Sequence, residues 1–202
     1  MREGGSVRFS LACALAAVAA LSGAPAPASS HAKQCGTTRW PVKTLSDPAA
    51  KSLPSKAVPT TIDTLLRETP PAAPDLLPDR MPPIETTLWS VRARLLAYWV
   101  ERDSDYHLVL ADLNSGKTLY GEIPSPDCVQ THKNVYAAER AYVDKLGRRP
   151  ASATYWWLNR KGRTPPVVTV AGYGFFDHVK AHPDPGQAPN GIEIHPVLEI
   201  SR

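Results

Sequence analysis

The chain has 202 residues, 23 of them basic and 19 acidic, for a formal charge of +4. That excess is too slight for a dedicated nucleic-acid or other polyanion binder. The length suits one domain with a real core, and no internal repeat or heptad array is visible.

Residues 1–28 read as a signal peptide. MREGGSVR supplies two arginines, FSLACALAAVAAL follows as an apolar core, and Ala26-Pro27-Ala28 supplies small residues at both recognition positions. The predicted cleavage is before Ser29, with cleavage after Ala32 as the second choice. The apolar run is too short for a stable membrane anchor, so the mature chain is expected to be exported, periplasmic or extracellular, with no membrane span. Loss of Arg2, Arg8 and Glu3 leaves 21 basic against 18 acidic residues. Two cysteines remain, Cys35 and Cys128, and an even pair in an oxidising compartment reads as one disulfide.

Residues 29–83 form a proline-rich, irregular arm. Only TTIDTLLRE has the pattern of a short helix, capped by Thr60 or Thr61. The rest lacks the apolar content for a core of its own, so it is a linker or an arm draped over a domain, and a Cys35–Cys128 bridge favours the arm.

From residue 84 to 202 the pattern is that of a β domain. In TTLWSVRARLLAYWVE the residues Trp89, Val91, Ala93, Leu95, Ala97 and Trp99 alternate with Ser90, Arg92, Arg94 and Tyr98, which predicts a long strand with the first set buried. RDSD is a turn. YHLVLAD is a second strand, LNSG a four-residue hairpin loop, and KTLYGEIP a third strand ended by Pro124. HKNVYAAERAYVDKLG carries Val135, Ala138, Tyr142 and Leu146 at helical spacing, with Gly147 as its stop. PVVTVAGYGFF and GIEIHPVLEI are the fourth and fifth strands, and Pro196 points to an edge or a bulge in the last. The order β-β-β-α-β-β predicts a mainly β, OB-fold-like five-stranded Greek-key barrel with one helix between strands 3 and 4.

Counting outward from LNSG places His107 opposite Glu122, close enough to touch. In such a barrel the fifth strand approaches the third, which would bring in Glu193 or His195. Imidazole and carboxylate together suit a divalent metal or proton transfer, whereas on the wet face of a sheet the pair is a cross-strand contact of about 0.2–1 kcal/mol. Asp103 and Asp105 at the hairpin mouth would suit calcium or, as plain turn residues, no ligand at all. Tyr155, Trp156 and Trp157 in TYWWLNRKGR would suit sugars or single-stranded nucleic acid, or else serve as core. Asp177 and Asn190 flank the long loop between strands four and five, where such barrels often touch ligands.

CGTTRWPVKTLSD, DSDYHLVLAD, GKTLYGEIPSPDC, GYGFFD and APNGIEIHPVLEI, in that order from Cys35 to Ile200, resemble a family of exported bacterial proteins. The resemblance implies that His107, Glu122, Asp177, Asn190, Glu193 and His195 lie in family motifs, and it carries no activity with it. Where that family has a His-Gly-Gln turn, this chain has the longer HVKAHPDPGQ. A second similarity is to thermonuclease-type OB-folds, with Asp105 in the place of a calcium-binding aspartate; Gly121 and Glu122 stand where that family needs phosphate-holding arginines, so the likeness is one of fold alone. The expectation is an exported, non-enzymatic binding or interaction module with an unidentified ligand or protein partner. The alternatives are a metal-dependent, phosphodiester-type hydrolase centred on His107, Glu122 and His195, and an oligosaccharide or single-strand binder. No cofactor is required by the sequence, and a divalent metal is the one that its histidines and glutamates would suit.

Overall fold

A computed structural model of the chain describes residue 1 and residues 34–147, 156–158, 162 and 164–202. The expected signal segment and Tyr155 lie outside the described residues. In chain order the elements are α1 (Trp40–Lys43), β1 (Val58–Thr60), α2 (Ile62–Leu65), β2 (Leu88–Val100), β3 (Tyr106–Asp112), β4 (Thr118–Ile123), α3 (Lys133–Leu146), β5 (Trp156–Trp157), β6 (Val167–Phe176) and β7 (Ile192–Ser201). Among the described residues, no helix is long and apolar enough to cross a membrane.

Five strands close into a barrel in the order β2-β3-β4-β7-β6, and β6 returns to β2. All contacts are antiparallel except β4–β7, which is parallel. This is the expected OB-fold-like cylinder, with α3 between its third and fourth strands. Closure works because β2 is long enough to serve two neighbours: Leu88–Arg94 pair with β6 while Ala93–Val100 pair with β3.

A bulge at Leu96 makes that double duty feasible. The β2–β3 register slips by one residue between Leu95 and Ala97, which bends the strand and reverses its inward parity. Before the bulge Val91, Ala93 and Leu95 enter the barrel core; after it Tyr98 does, and Ala97 and Trp99 turn to the opposite face. The alternation in the sequence therefore holds only up to Leu95, and its assignment of Trp99 to the core and Tyr98 to the surface is reversed. The helix differs in a similar way. Tyr136 and Val143 are the buried residues of α3, with Tyr142 and Leu146 flanking them, whereas Val135 and Ala138 are exposed.

Pro196 lies at a bulge, where the register of β7 with β6 slips near Gly172, and beyond the pairing of β7 with β4, which covers Glu193 and Ile194. A Cβ on Gly172 would collide with the Pro196 carbonyl and the Ile194 side chain, so only glycine lets the strands cross there.

The arm is packed onto the barrel. Thr61 caps α2 by accepting from the Thr64 N–H at 3.1 Å, and Ile62 and Leu65 of that helix join the core. Arg80 reaches Asp47 through two hydrogen bonds of 2.9 and 2.5 Å, and Arg39 grips the fully buried Glu85 through two of 2.8 and 2.6 Å. Cys35 and Cys128 form a disulfide, with Cα atoms 5.6 Å apart.

Candidate functional site

Residues 107, 122, 193 and 195 share one face by strand arithmetic. Asp112 accepts from the Asn114 and Ser115 N–H groups at 2.9 and 3.1 Å and folds the LNSG loop tightly. That loop fixes His107 opposite Glu122, as the hairpin register predicts. The parallel β4–β7 contact then sets Glu193 beside Tyr120. These side chains alternate with Leu108, Ile123, Ile192 and Ile194, which point into the barrel, so they sit on its outer face.

That face is dry, contrary to the expectation of a wet sheet surface. The arm lies across it: Lys43 reaches Asp177 at 2.7 Å and Glu193 at 3.8 Å. The Arg39 guanidinium and the Lys43 ammonium stand 4.6 and 4.8 Å from the centre of the Phe175 ring. Glu122, Glu193 and His195 are buried, and the His107 side chain is only 13 % exposed.

The side chains form a chain of contacts running inward. His107 Nε2 is 2.9 Å from Glu122 Oε1, and Glu122 Oε2 is 3.0 Å from His195 Nδ1. The same Nδ1 is 3.1 Å from Glu193 Oε1, and His195 Nε2 faces Asp105 Oδ2 at 3.7 Å. Behind His107, Trp99 and Tyr120 set their rings 5.2 and 5.3 Å from the imidazole and hold its orientation. Trp99 reaches that position only because the Leu96 bulge turns it outward.

Burial alone would raise the Glu122 carboxyl, but the two imidazoles beside it hold it well below the usual carboxylate range. Burial opposes protonation of His195, yet the Glu122 carboxylate prevails and pushes it up to about 10; His107 moves up for the same reason. Glu193 is pushed up to about 8, by burial first and the Glu122 charge second, against the pull of Lys43. Asp105 is pushed up to about 7 by burial, offset in part by His195. Burial would lower Lys43, but Glu193, Glu122 and Asp177 outweigh it and raise its pKa. Glu122 is thus the anion on which the cluster is centred.

A cleft of about 310 Å³ opens against this cluster. Residues 34–38 form one wall, so the disulfide lies at its rim; His107, Glu122, Lys43 and Asp177 lie along it, with Glu101, Arg102, Asp103 and Lys180. Asp177 lies along this cleft. Asn190 does not: its amide donates to the Leu65 and Glu68 carbonyls at 3.1 and 3.0 Å, pinning α2 to the barrel. Asp103 serves as a turn residue, accepting from the Asp105 N–H at 3.1 Å, while Asp105 is fully buried. The backbone of Trp156 and Trp157 pairs with β2 at Tyr98 and Ala97.

The sequence reading missed Lys43, Arg39 and Phe175. Nothing in their local pattern assigns them to this face, because they arrive through the fold of the arm and the closure of the barrel. Comparison of the chain with protein-family models, with curated proteins and with solved structures yields no match.

Proposed function

We propose that this chain is an exported binding module, and that its ligand site is the cleft which the disulfide-pinned arm builds over the β3–β4 face. The carrying observation is the cleft itself: a concave site of both charge signs set against a buried, rigidly hydrogen-bonded floor. Its volume of about 310 Å³ lies at the small end of the range of about 300–1,000 Å³ for ligand pockets. Lys43 offers positive charge and Glu122 and Asp177 negative charge along one wall, which suits a small zwitterion or a polar fragment of amino-acid or single-sugar size. It does not suit a polyanion. The signal-like N-terminus and the disulfide support export.

A binding role is favoured over acid–base catalysis by His107. Its Nε2 is committed to Glu122, and its Nδ1 is covered, 3.9 Å from Glu101 and without a hydrogen-bond partner among the described residues, so neither nitrogen is presented to a molecule in the cleft. The metal-dependent hydrolase reading draws support from the convergence of His107, Glu122 and His195, but it lacks a presented base.

The test is a thermal-shift and calorimetric screen of free amino acids, dipeptides and sugar acids, run on the native chain and on Glu122→Gln, together with turnover assays on model esters and phosphodiesters. A stabilising ligand whose effect disappears in Glu122→Gln is the expected result. Hydrolysis that depends on His107 and Glu122 would replace the binding module by an enzyme.

A further inference from the structure

The inner end of the cluster has a property that the cleft does not use. Asp105 and His195 are both completely buried, and among the described residues Asp105 Oδ2 and His195 Nε2 have no hydrogen-bond partner. The two atoms face one another at 3.7 Å, too far for a hydrogen bond between them. Buried polar atoms left without a partner are rare, because each forfeits its hydration with nothing in return.

The rest of the set is arranged as metal-binding histidines usually are. His195 Nδ1 is occupied by carboxylates, Glu122 at 3.0 Å and Glu193 at 3.1 Å. A carboxylate on one ring nitrogen fixes the ring's orientation, and a cation then takes the lone pair of the other nitrogen in place of its proton. Asp105 is equally fixed, since its Oδ1 accepts from the Ser125 N–H at 2.8 Å and leaves Oδ2 free. One donor atom from each of Asp105, Glu122 and His195 lies within 4.8 Å of the other two. Bonds of about 2.0–2.1 Å to nitrogen and 2.0–2.2 Å to oxygen together exceed the 3.7 Å separation, so one cation spans both atoms in a bent bridge. Among the described residues, Arg140 pairs with the other Asp105 oxygen, Oδ1, at 3.9 Å, and Lys43 lies 3.8 Å from Glu193.

We propose that a divalent cation of the zinc class binds between Asp105, Glu122 and His195, with Glu122 turning from His195 Nδ1 to the ion and Glu193 alone staying on that nitrogen. Imidazole nitrogen with carboxylate oxygens favours zinc-like ions over calcium or magnesium, which take all-oxygen sets. The ion ties the start of β3 to β4 and β7 from the outside of the barrel, and the site stands whatever occupies the cleft.

The test uses the disulfide-bonded chain stripped by chelation, then loaded with Zn²⁺ both by titration and by refolding in its presence, so that a closed entry path does not read as absence of a site. One equivalent by elemental analysis and a raised melting temperature are expected. Asp105→Asn keeps the acceptor for Ser125 and is expected to weaken Zn²⁺ binding by about 100-fold or more, because loss of an outer partner alone costs about 10–100-fold. Glu193→Gln should fall within that smaller range, and substitution of the exposed His182 should change nothing. Co²⁺ bound to the unsubstituted chain should shift the His195 ring signals in NMR, a readout that needs no variant to fold. Sub-stoichiometric binding, indifference to Asp105→Asn in a folded variant, or Co²⁺ shifts centred on His178 and His182 would overturn the proposal.

Discussion

Replacing both Cys35 and Cys128 by serine tests how the arm is held. The bridge joins residues 93 apart in sequence, and for a loop of that length the chain-entropy relation gives about 4–5 kcal/mol at 25 °C. In the folded state the arm keeps its other attachments, Arg39 on Glu85, Lys43 on Asp177 and Arg80 on Asp47, so the loss should come almost wholly from a freer unfolded chain. Two signatures follow. The urea midpoint should fall, and the slope m should rise, because an unfolded chain without the cross-link exposes more surface. For a domain of this size the loss corresponds to about 8–20 °C in melting temperature. Urea unfolding of the double variant beside the oxidised parent gives both quantities. A loss below about 1 kcal/mol with an unchanged slope would refute the reasoning, since it would mean that the unfolded chain already keeps arm and barrel together.

Three further outcomes are expected. Lys43→Met leaves Asp177, Glu193 and Glu122 without their buried cation and should cost about 3–5 kcal/mol in urea unfolding; a near-neutral result would show that the arm does not seal this face. Tyr98→Ala should cost about 3–5 kcal/mol and clearly more than Trp89→Ala, since Tyr98 is fully buried and Trp89 only half-buried. The opposite ranking would argue against the bulge at Leu96. Gly172→Ala forces a methyl against the Pro196 carbonyl and Ile194 and should destabilise by about 1–3 kcal/mol; a melting temperature matching the parent's would mean that the strands part there without strain.

The barrel was legible because its signals are local or nearly so. Period-two runs, one tight loop and one amphipathic helix determine the element order, and the LNSG loop alone determines that His107 meets Glu122. What the sequence concealed has a common cause. A bulge adds one residue and reverses every side chain beyond it, yet Leu96 looks like any other apolar residue in an apolar run, and the reversal of Tyr98 and Trp99 appears only once β2 must pair on two sides. Proline-rich segments carry no periodicity, so WPVK gives no hint that α1 will bring Lys43 to Glu193. Asn190 misled for a different reason: an amide in a loop binds a ligand or a backbone with equal ease, and here it took two carbonyls of the arm.

The arm decides what kind of site the barrel face becomes. On a bare OB-type sheet the His107–Glu122 pair would be hydrated, its two charges screened, and its contribution no more than that of an ordinary cross-strand contact. Covering the face with Lys43, Arg39 and the disulfide-linked residues 34–38 removes that screening, and the same separations of 2.9–3.1 Å then act through a far less polarisable medium. The consequence is visible in a single pair of neighbours on one strand: burial and the Glu122 charge push Glu193 up to about 8, while that same charge pushes His195 up to about 10. Burial is the first cause raising Glu193, and at His195 the Glu122 field has to override it. The arm is therefore part of the site, and a ligand or ion held there is held jointly by the barrel, which supplies the geometry, and by the arm, which supplies the low dielectric.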